Sequence, residues 1–422
     1  MKQLKALTAA LLLSALTAPA FAADILIQNA KVVTNTSAGT SENMDVLVQG
    51  QRIVKMGSDL STPAGAEVID GQNTWVTPGL FAPFTRLGLV EVSAEAATND
   101  IRADEAETSV SDLAADSFNP NATPIGNTRV SGITHILSAP DTGHNILGGI
   151  GLIANTSGDD NSVIDAEAFI YAEIGQSGAR TAGGSRSAAM SQLRAALDDA
   201  SAYPSRYNSP TDGDTLSRRD ASALYKAVRG RLPLLIEADR ASDLRLLIDL
   251  KNDYGSLDII IIGAAEGWMV ADELAKAGIK VMVDPHENLP TGFDRVGASF
   301  ENVNILDAKG VDYAIMTRTA DLSHNVRVIT QHAGNAVGNG LSWGKAFAAI
   351  SSTPARWFGL QNTLTEGGTA TLVVWDGDPL ELTSTPIKMI MSGKDMPLTS
   401  RQRELRDRYN PTSTDDRPHK YR

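Results

Sequence analysis

The chain has 422 residues, enough for one large domain or two of ordinary size. Apolar residues make up 42% of it and charged residues 21%, a composition typical of a folded globular protein that excludes an intrinsically disordered one. The formal net charge is −13, and no basic stripe interleaved with aromatic residues is present, so we expect no nucleic-acid partner. The absence of cysteine excludes disulfides and thiol catalysis.

The start of the chain has the pattern of a cleavable secretory signal peptide, predicted over residues 1–22. Lys2 and Lys5 form a basic start, residues 6–17 form an apolar run, and an Ala-Phe-Ala triplet ends at Ala22. The run is too short to span a membrane as a stable helix, and no later stretch approaches 18 continuous apolar residues. We therefore expect cleavage after Ala22, a periplasmic or secreted protein, and no membrane span.

Short strands separated by turns are predicted near both ends of the mature chain. Residues 24–79 contain three runs rich in Val and Ile, and Gly, Asn and Asp interrupt these runs as they do in antiparallel hairpins. The same pattern returns over residues 367–396. These two pieces predict one small composite β-sandwich, assembled from residues 23–78 and 362–398.

Eight apolar runs occupy the middle of the chain, with amphipathic helical stretches between several of them. Continuous apolar runs are typical of strands that are buried on both faces, and alternation of strands with helices predicts a (β/α)8 TIM-type barrel over residues 79–361. A charged helix and a polar tail are expected over residues 399–422. The predicted barrel strands are residues 75–81, 132–138, 149–155, 168–174, 232–238, 257–263, 279–284 and 311–317.

The order and spacing of several segments resemble the amidohydrolase superfamily, and within it the imidazolonepropionase- and dihydroorotase-like members. The resemblance covers nearly the whole mature chain. It implies an α/β fold with this barrel and composite domain, and hydrolysis of non-peptide C–N bonds in cyclic amides by a metal-activated water. The matching segments are residues 24–34 (DILIQNAKVVT), 51–54 (QRIV), 68–71 (VIDG), 75–80 (WVTPGL), 352–356 (STPAR) and 370–380 (ATLVVWDGDPL).

The resemblance also implies metal ligands at the ends of barrel strands. These would be His-x-His after strand 1, a carboxylated lysine or Glu after strand 4, His after strands 5 and 6, and Asp after strand 8. A phenyl ring cannot ligate, and a permanently charged guanidinium repels a divalent cation. No lysine lies between Lys55 and Lys226, so a carboxylated lysine is excluded. The family positions are occupied by Phe84, Arg86, Glu173, Glu237, Gly263 and Arg318.

We therefore expect no metal cofactor, unless a divalent ion such as zinc binds at a site outside the family pattern. Arg86 and Arg318 are hypothesised to occupy the space that the metal ions leave. Asp321, three residues after Arg318, stays a candidate for the strand-8 aspartate. His332 precedes a loop rich in Gly and Asn, which favours a structural role over a catalytic one.

Other side chains at the predicted barrel mouth can still carry chemistry. Asp284, His286 and Glu287 follow strand 7, and His324 follows strand 8. We take these four as candidate catalytic residues, because a His–carboxylate pair can act as acid and base or hold a metal. The alternative is a solvated salt-bridge network with no chemistry. The candidate binding residues are Arg86, Glu173, Glu237, Asp239, Arg240 and Arg318.

Two functions stay open because function resides in the site and not in the fold. The first is a hydrolase of C–N bonds other than peptide bonds with a degenerate site, and loss of the metal ligands favours a chain that no longer hydrolyses, a pseudoenzyme. The second is a noncatalytic periplasmic ligand-binding or scaffold protein. Both predict a small-molecule ligand at the barrel mouth, and both allow a homo-oligomer.

Overall fold

The computed structural model describes residues 24–410 except Glu107 and residues 209–214. The predicted signal peptide and the end of the polar tail lie outside these residues. In chain order the strands are β1 (Ile25–Val33), β2 (Thr40–Gln49), β3 (Arg52–Gly57), β4 (Glu67–Asp70), β5 (Trp75–Pro78), β6 (Leu80–Thr85), β7 (Ile133–Ser138), β8 (Leu147–Asn155), β9 (Val163–Glu173), β10 (Leu234–Ala238), β11 (Ile259–Gly263), β12 (Lys280–Val283), β13 (Tyr313–Ile315), β14 (Leu372–Trp375), β15 (Pro386–Met391) and β16 (Lys394–Asp395).

Helices separate most of the strands in the middle of the chain. The predicted charged C-terminal helix forms as α11, just after the second β-rich piece. No helix among the described residues is both long and apolar enough to cross a membrane. The α-helices are α1 (Thr123–Arg129), α2 (Gln176–Thr181), α3 (Arg186–Ser201), α4 (Arg218–Val228), α5 (Ala241–Asp253), α6 (Ala271–Ala277), α7 (Asn302–Ala308), α8 (Ile329–Gly338), α9 (Trp343–Ala349), α10 (Ser352–Trp357) and α11 (Arg401–Tyr409).

The first sheet joins strands from both ends of the chain. Its order is β16-β15-β14-β5-β1-β2-β3, with β4 paired to β1 outside this path. The two ends meet where β14 pairs antiparallel with β5. Alternate residues such as Ile27, Val46 and Val374 form its apolar core. The predicted small β domain built from both termini is confirmed, while its residue boundaries stay a prediction.

The second sheet is the predicted barrel, with the order β6 to β13. One strand differs from the predicted parallel arrangement, because β8 pairs antiparallel with both β7 and β9. Only residues 139–146 connect β7 to β8. A parallel neighbour needs a crossover of a dozen or more residues, so this short connection forms a hairpin. The remaining pairings in the barrel are parallel.

Both faces of the barrel strands are buried, which explains their continuous apolar runs. Along β11, Ile260 and Ile262 belong to the inner cluster that also contains Leu235 and Met282. The alternate residues of the same strand pack in the outer cluster with the surrounding helices. The polar residues Glu173, Asp239 and Asp284 stand at or just after the ends of β9, β10 and β12, which places them at one mouth of the barrel.

Replacement of Trp375 by alanine is expected to lower the free energy of unfolding by about 3–5 kcal/mol, because a large side chain leaves a buried cavity. Trp375 is 2% exposed and its indole donates to Thr77 Oγ1 at 2.9 Å, linking the C-terminal strand to the N-terminal one. The urea midpoint measures the change. Leu382→Ala, at a residue 75% exposed, is the control and should shift stability by less than about 0.5 kcal/mol. Equal shifts in the two variants would contradict this role of Trp375.

Candidate functional site

The guanidinium of Arg318 lies in a buried cluster of carboxylates at the barrel mouth. Its Nη2 is ion-paired with Asp239, its Nε lies 3.5 Å from Glu287 Oε1, and its Nη1 lies 3.9 Å from Glu237 Oε1. The Arg318 side chain is 6% exposed. Burial alone would lower the pKa of Arg318, but these carboxylates outweigh it and raise the pKa. The cluster therefore holds a permanent cation.

A second guanidinium, from Arg295, completes the cluster. Its Nε lies 3.1 Å from Asp239 Oδ2 and its Nη1 lies 3.3 Å from Glu287 Oε1. Burial would raise the pKa of Asp239, but Arg318 and Arg295 together hold it below its ordinary value. Sequence reasoning missed Arg295, since it lies in a single 3-10 turn, Phe293–Arg295, after β12, and no periodic pattern places its side chain.

Gly263 makes room for Arg318. Its φ is +102°, and a Cβ atom built on it would collide with Arg318 Nη1 and lie 2.5 Å from Asp239 Oδ1. This glycine occupies the position where the resemblance implies a histidine ligand after strand 6. A histidine there is incompatible with the observed placement of Arg318.

Arg86 is also buried, and its guanidinium contacts backbone carbonyl groups and a carboxylate of the chain. Its Nη1 donates to the carbonyl oxygens of Ala139, at 2.7 Å, and of Pro140, and its Nη2 lies 3.1 Å from Asp141 Oδ1. Its guanidinium carbon lies 4.9 Å from the centre of the Tyr171 ring. Arg86 thus fastens the end of β6 to the loop after β7. Phe84 is a buried core residue.

The hydroxyl of Tyr171 lies between two carboxyl groups, 2.8 Å from Glu173 Oε1 and 3.0 Å from Glu237 Oε2. A phenol can donate only one proton, so the hydroxyl donates to one of the two carboxyl groups at a time. Burial, and then the charge of Glu237, raise the pKa of Glu173. Sequence reasoning missed Tyr171, although it precedes Glu173 by two residues and the period of a strand places both on one face.

Asp284 is hydrogen-bonded to His332, away from the cluster around Arg318. It is 2% exposed, and its Oδ1 lies 2.7 Å from His332 Nδ1. Its Oδ2 accepts from the backbone and hydroxyl of Thr319 at 2.6 and 2.8 Å. Burial would raise the pKa of Asp284, but the bonds from His332 and Thr319 and from the backbone N–H of His286 hold it below its ordinary value. A carboxylate in this position can orient an imidazole as a general base.

His332 was expected to be structural, and the structure brings it into contact with Asp284. The rings of His332 and His286 also lie 5.2 Å apart. His332 is on α8, far from Asp284 in sequence, so the pairing depends on a tertiary contact that no local pattern encodes. Glu287, by contrast, faces the opposite cluster of Arg318 and Arg295.

Two predicted site residues lie apart from the others. His324 contacts Asp321, at 3.4 Å, and the carbonyl oxygen of Glu91, at 3.1 Å, and does not join Asp284, His286 and Glu287. Arg240 is exposed because it stands at the start of α5, with its side chain in solvent. The structure therefore places neither residue in the predicted cluster, and Asp321 is engaged by His324 and the backbone of Ser323.

The metal site implied by the resemblance does not fit these side chains. Among the described residues, no group of three or more His, Asp or Glu side chains is arranged to hold a metal ion. A divalent cation beside Asp239 and Glu287 would lie against the buried guanidinium of Arg318, and like charges repel strongly where water is excluded.

A cavity of about 220 Å³ opens at the mouth beside Glu173 and Glu237. Its other polar lining includes Gln176, Arg180 and Thr291. A larger cavity, of about 400 Å³, lies between the loop after β6 and the loop before β8, and His144 lines it. The smaller cavity is the one that borders the carboxyl groups at the ends of β9 and β10.

The sequence of this chain is similar to that of known proteins. The sequence profile of the Amidohydrolase family matches residues 124–400, more than half of the chain. A dihydroorotase from Pelobacter propionicus is 40% identical over 57 residues, which cover 14% of this chain and 13% of that protein. The chain thus matches only a small part of the length of this curated relative.

Solved structures resemble the chain over most of its length. An amidohydrolase from Thermotoga maritima superposes with a TM-score of 0.78 at 23% identity, covering 88% of this chain and 99% of that one. A molinate hydrolase gives a TM-score of 0.55 at 16% identity, covering 89% of this chain and 95% of the other. At these identities the likeness shows the fold alone.

Glu287→Gln is expected to remove a pH dependence of folding stability. Burial raises the pKa of Glu287 to about 7, in spite of Arg318. The unfolded chain releases this proton near the ordinary value of 4.5, so the folded chain binds more protons between about pH 4.5 and 7. The free energy of unfolding should therefore fall as the pH rises through this window.

Urea midpoints measured across this pH range test the expectation. Glu273→Gln is the control, because Glu273 pairs with Arg245 at the surface and should leave the slope unchanged. If the wild-type protein and Glu287→Gln lose stability with the same slope, Glu287 does not carry the effect.

Proposed function

This chain belongs to the amidohydrolase family, and we propose that it is an exported member whose barrel mouth binds a small molecule without metal-dependent hydrolysis. Family membership supports, at a coarse level, a hydrolase that acts on C–N bonds. The finer proposal rests on one observation. The buried guanidinium of Arg318 is paired with Asp239 and Glu287, where it neutralises carboxylates that would otherwise be available to a metal.

Without a metal, the barrel mouth lacks two contributions that a metal makes to hydrolysis. A divalent ion lowers the pKa of a bound water and polarises the scissile carbonyl. Arg318 can donate hydrogen bonds to a ligand, but it cannot generate a hydroxide nucleophile, because a guanidinium neither coordinates water as a Lewis acid nor accepts a proton. The ends of β6 and β11, which offer Phe84, Arg86 and Gly263, supply no replacement ligand.

Export is proposed from the sequence alone. Lys2 and Lys5, the apolar run and the small residues ending at Ala22 support a signal peptide that is removed after Ala22. The mature protein would then act in the periplasm or outside the cell as a ligand-binding protein or scaffold. Metal-independent binding at the mouth accords with this role.

A metal-free hydrolase is the second candidate, and the contact between Asp284 and His332 favours it. Asp284 accepts from His332 Nδ1 at 2.7 Å, so the other ring nitrogen, Nε2, would be the one that takes a proton. Such a pair resembles the base and orienting carboxylate of metal-independent hydrolysis. His332 would then activate water directly.

Zinc analysis tests the proposed function. The mature protein, purified without a histidine tag, incubated with excess zinc chloride and desalted, is expected to retain far less than one zinc per chain. Arg318→Met should retain more zinc than the wild-type protein, because the substitution removes the competing cation from Asp239 and Glu287. Circular dichroism shows whether this variant has folded, and stoichiometric zinc in the wild-type protein would overturn the proposal.

A hydrolysis screen separates the two candidates. The binding proposal expects no turnover of hydantoins, lactams or acyl-dipeptides above the rate in buffer. The metal-free hydrolase would show turnover that resists chelators and that His332→Gln lowers by about 10²- to 10⁴-fold, the usual contribution of a general base. His324→Gln is the matched control, because His324 lies apart from Asp284 and should leave any turnover unchanged.

A further inference from the structure

We propose that the cavity beside Glu173 and Glu237 binds a small organic cation through an ammonium or amidinium group. This inference rests on the proposed function, since it requires that both carboxyl groups be free of metal. It names a chemical class of ligand for the mouth. Membership of the family does not by itself identify that class for a chain with these residues.

The two carboxyl groups converge on one point at the edge of the cavity. Both lie within 3.0 Å of the Tyr171 hydroxyl, and both line the cavity. Tyr171 can donate to only one of them. Glu173 and Glu237 therefore offer more acceptor capacity than the protein satisfies, and N–H donors of a ligand can supply what is missing.

One carboxyl oxygen of Glu173 is buried and unsatisfied. Glu173 is 6% exposed, and among the described residues no donor meets hydrogen-bond geometry at its Oε2. A buried acceptor left unsatisfied costs free energy, which a donor entering from the cavity would recover. Burial, and then the charge of Glu237, raise the pKa of Glu173, and a hydrogen bond from Ser177 opposes this shift only in part.

The remaining carboxylates at the cavity are already paired with guanidinium groups of the chain. Asp239 is paired with Arg318 and Arg295. Asp294 is paired with Arg186. These pairs leave Glu173 and Glu237 as the carboxyl groups that can accept a further cation.

Arg318 does not supply this cation, and Arg295, which lines the cavity, is paired with Asp239 and Glu287. Arg318 Nη1 lies 3.9 Å from Glu237 Oε1, beyond hydrogen-bond distance. Arg180 also lines the cavity, but its side chain is exposed at the rim. Two parallel N–H donors of an amidinium would form short, charge-assisted bonds with the carboxyl groups, which a neutral amide cannot match.

The size of the cavity limits the ligand. Its volume of about 220 Å³ lies below the roughly 300–1,000 Å³ of pockets for drug-sized molecules. Benzamidine and benzamide are suitable probes, because they share a shape and differ in charge.

Isothermal titration calorimetry of the mature wild-type protein at pH 7 tests the inference. Benzamidine is expected to bind at least about tenfold more tightly than benzamide, since the loss of charge-assisted bonds costs that much or more. Glu173→Gln and Glu237→Gln should each weaken benzamidine binding by a similar factor. Glu167→Gln is the matched control, because Glu167 lies on the same strand, pairs with Lys226 and does not line this cavity.

The outcomes distinguish the inference from the proposed function. Equal affinity for benzamidine and benzamide, no binding of benzamidine, or equal losses in Glu167→Gln and Glu237→Gln would overturn the inference. If the same preparation is free of zinc, the proposed function survives that result. Stoichiometric zinc would instead overturn the proposed function, whatever the probes do.

Discussion

The buried charge of Arg318 constrains the rest of the barrel mouth. A guanidinium removed from water must be paired, and removal of one partner of a buried ion pair costs about 3–5 kcal/mol. Asp239 and Glu287 provide the pairing, Arg295 balances their excess charge, and Gly263 leaves the space. These residues depend on one another, so no single substitution at any of them would restore the full set of ligands that the family pattern implies. The mouth is a consistent alternative arrangement, not a metal centre lacking one ligand.

The fold was predictable because its signals are local. Runs such as the four isoleucines of β11 are buried on both faces whatever the order of the strands, and alternation with helices limits the topologies to a barrel. The direction of β8 was not predictable from its composition, since a buried strand has the same apolar pattern in parallel and antiparallel pairs. Only the short connection of residues 139–146 carried that information.

The site was predictable in part. Glu173, Glu237 and Arg318 each stand at or after the end of a predicted strand, which places them at one mouth. In the structure, Arg318 Nη1 lies 3.9 Å from Glu237 Oε1. Strand period would also have placed Tyr171 beside Glu173. The contacts of His332 with Asp284 and of Arg295 with Asp239 could not be predicted, because each joins a strand end to a helix or loop distant in sequence. His324 was misplaced for the same reason, as its loop turns toward Glu91.

The mouth is divided into two halves with different electrostatics. On the side of β11 and β13, internal guanidinium groups form ion pairs with the carboxylates. On the side of β9 and β10, Glu173 and Glu237 share one phenol, and no cation of the chain lies within hydrogen-bond distance of Glu237 among the described residues. Two convergent carboxyl groups, of which Glu173 is buried, are unfavourable without a positive partner. Their position beside a cavity is what favours a ligand that brings its own positive charge.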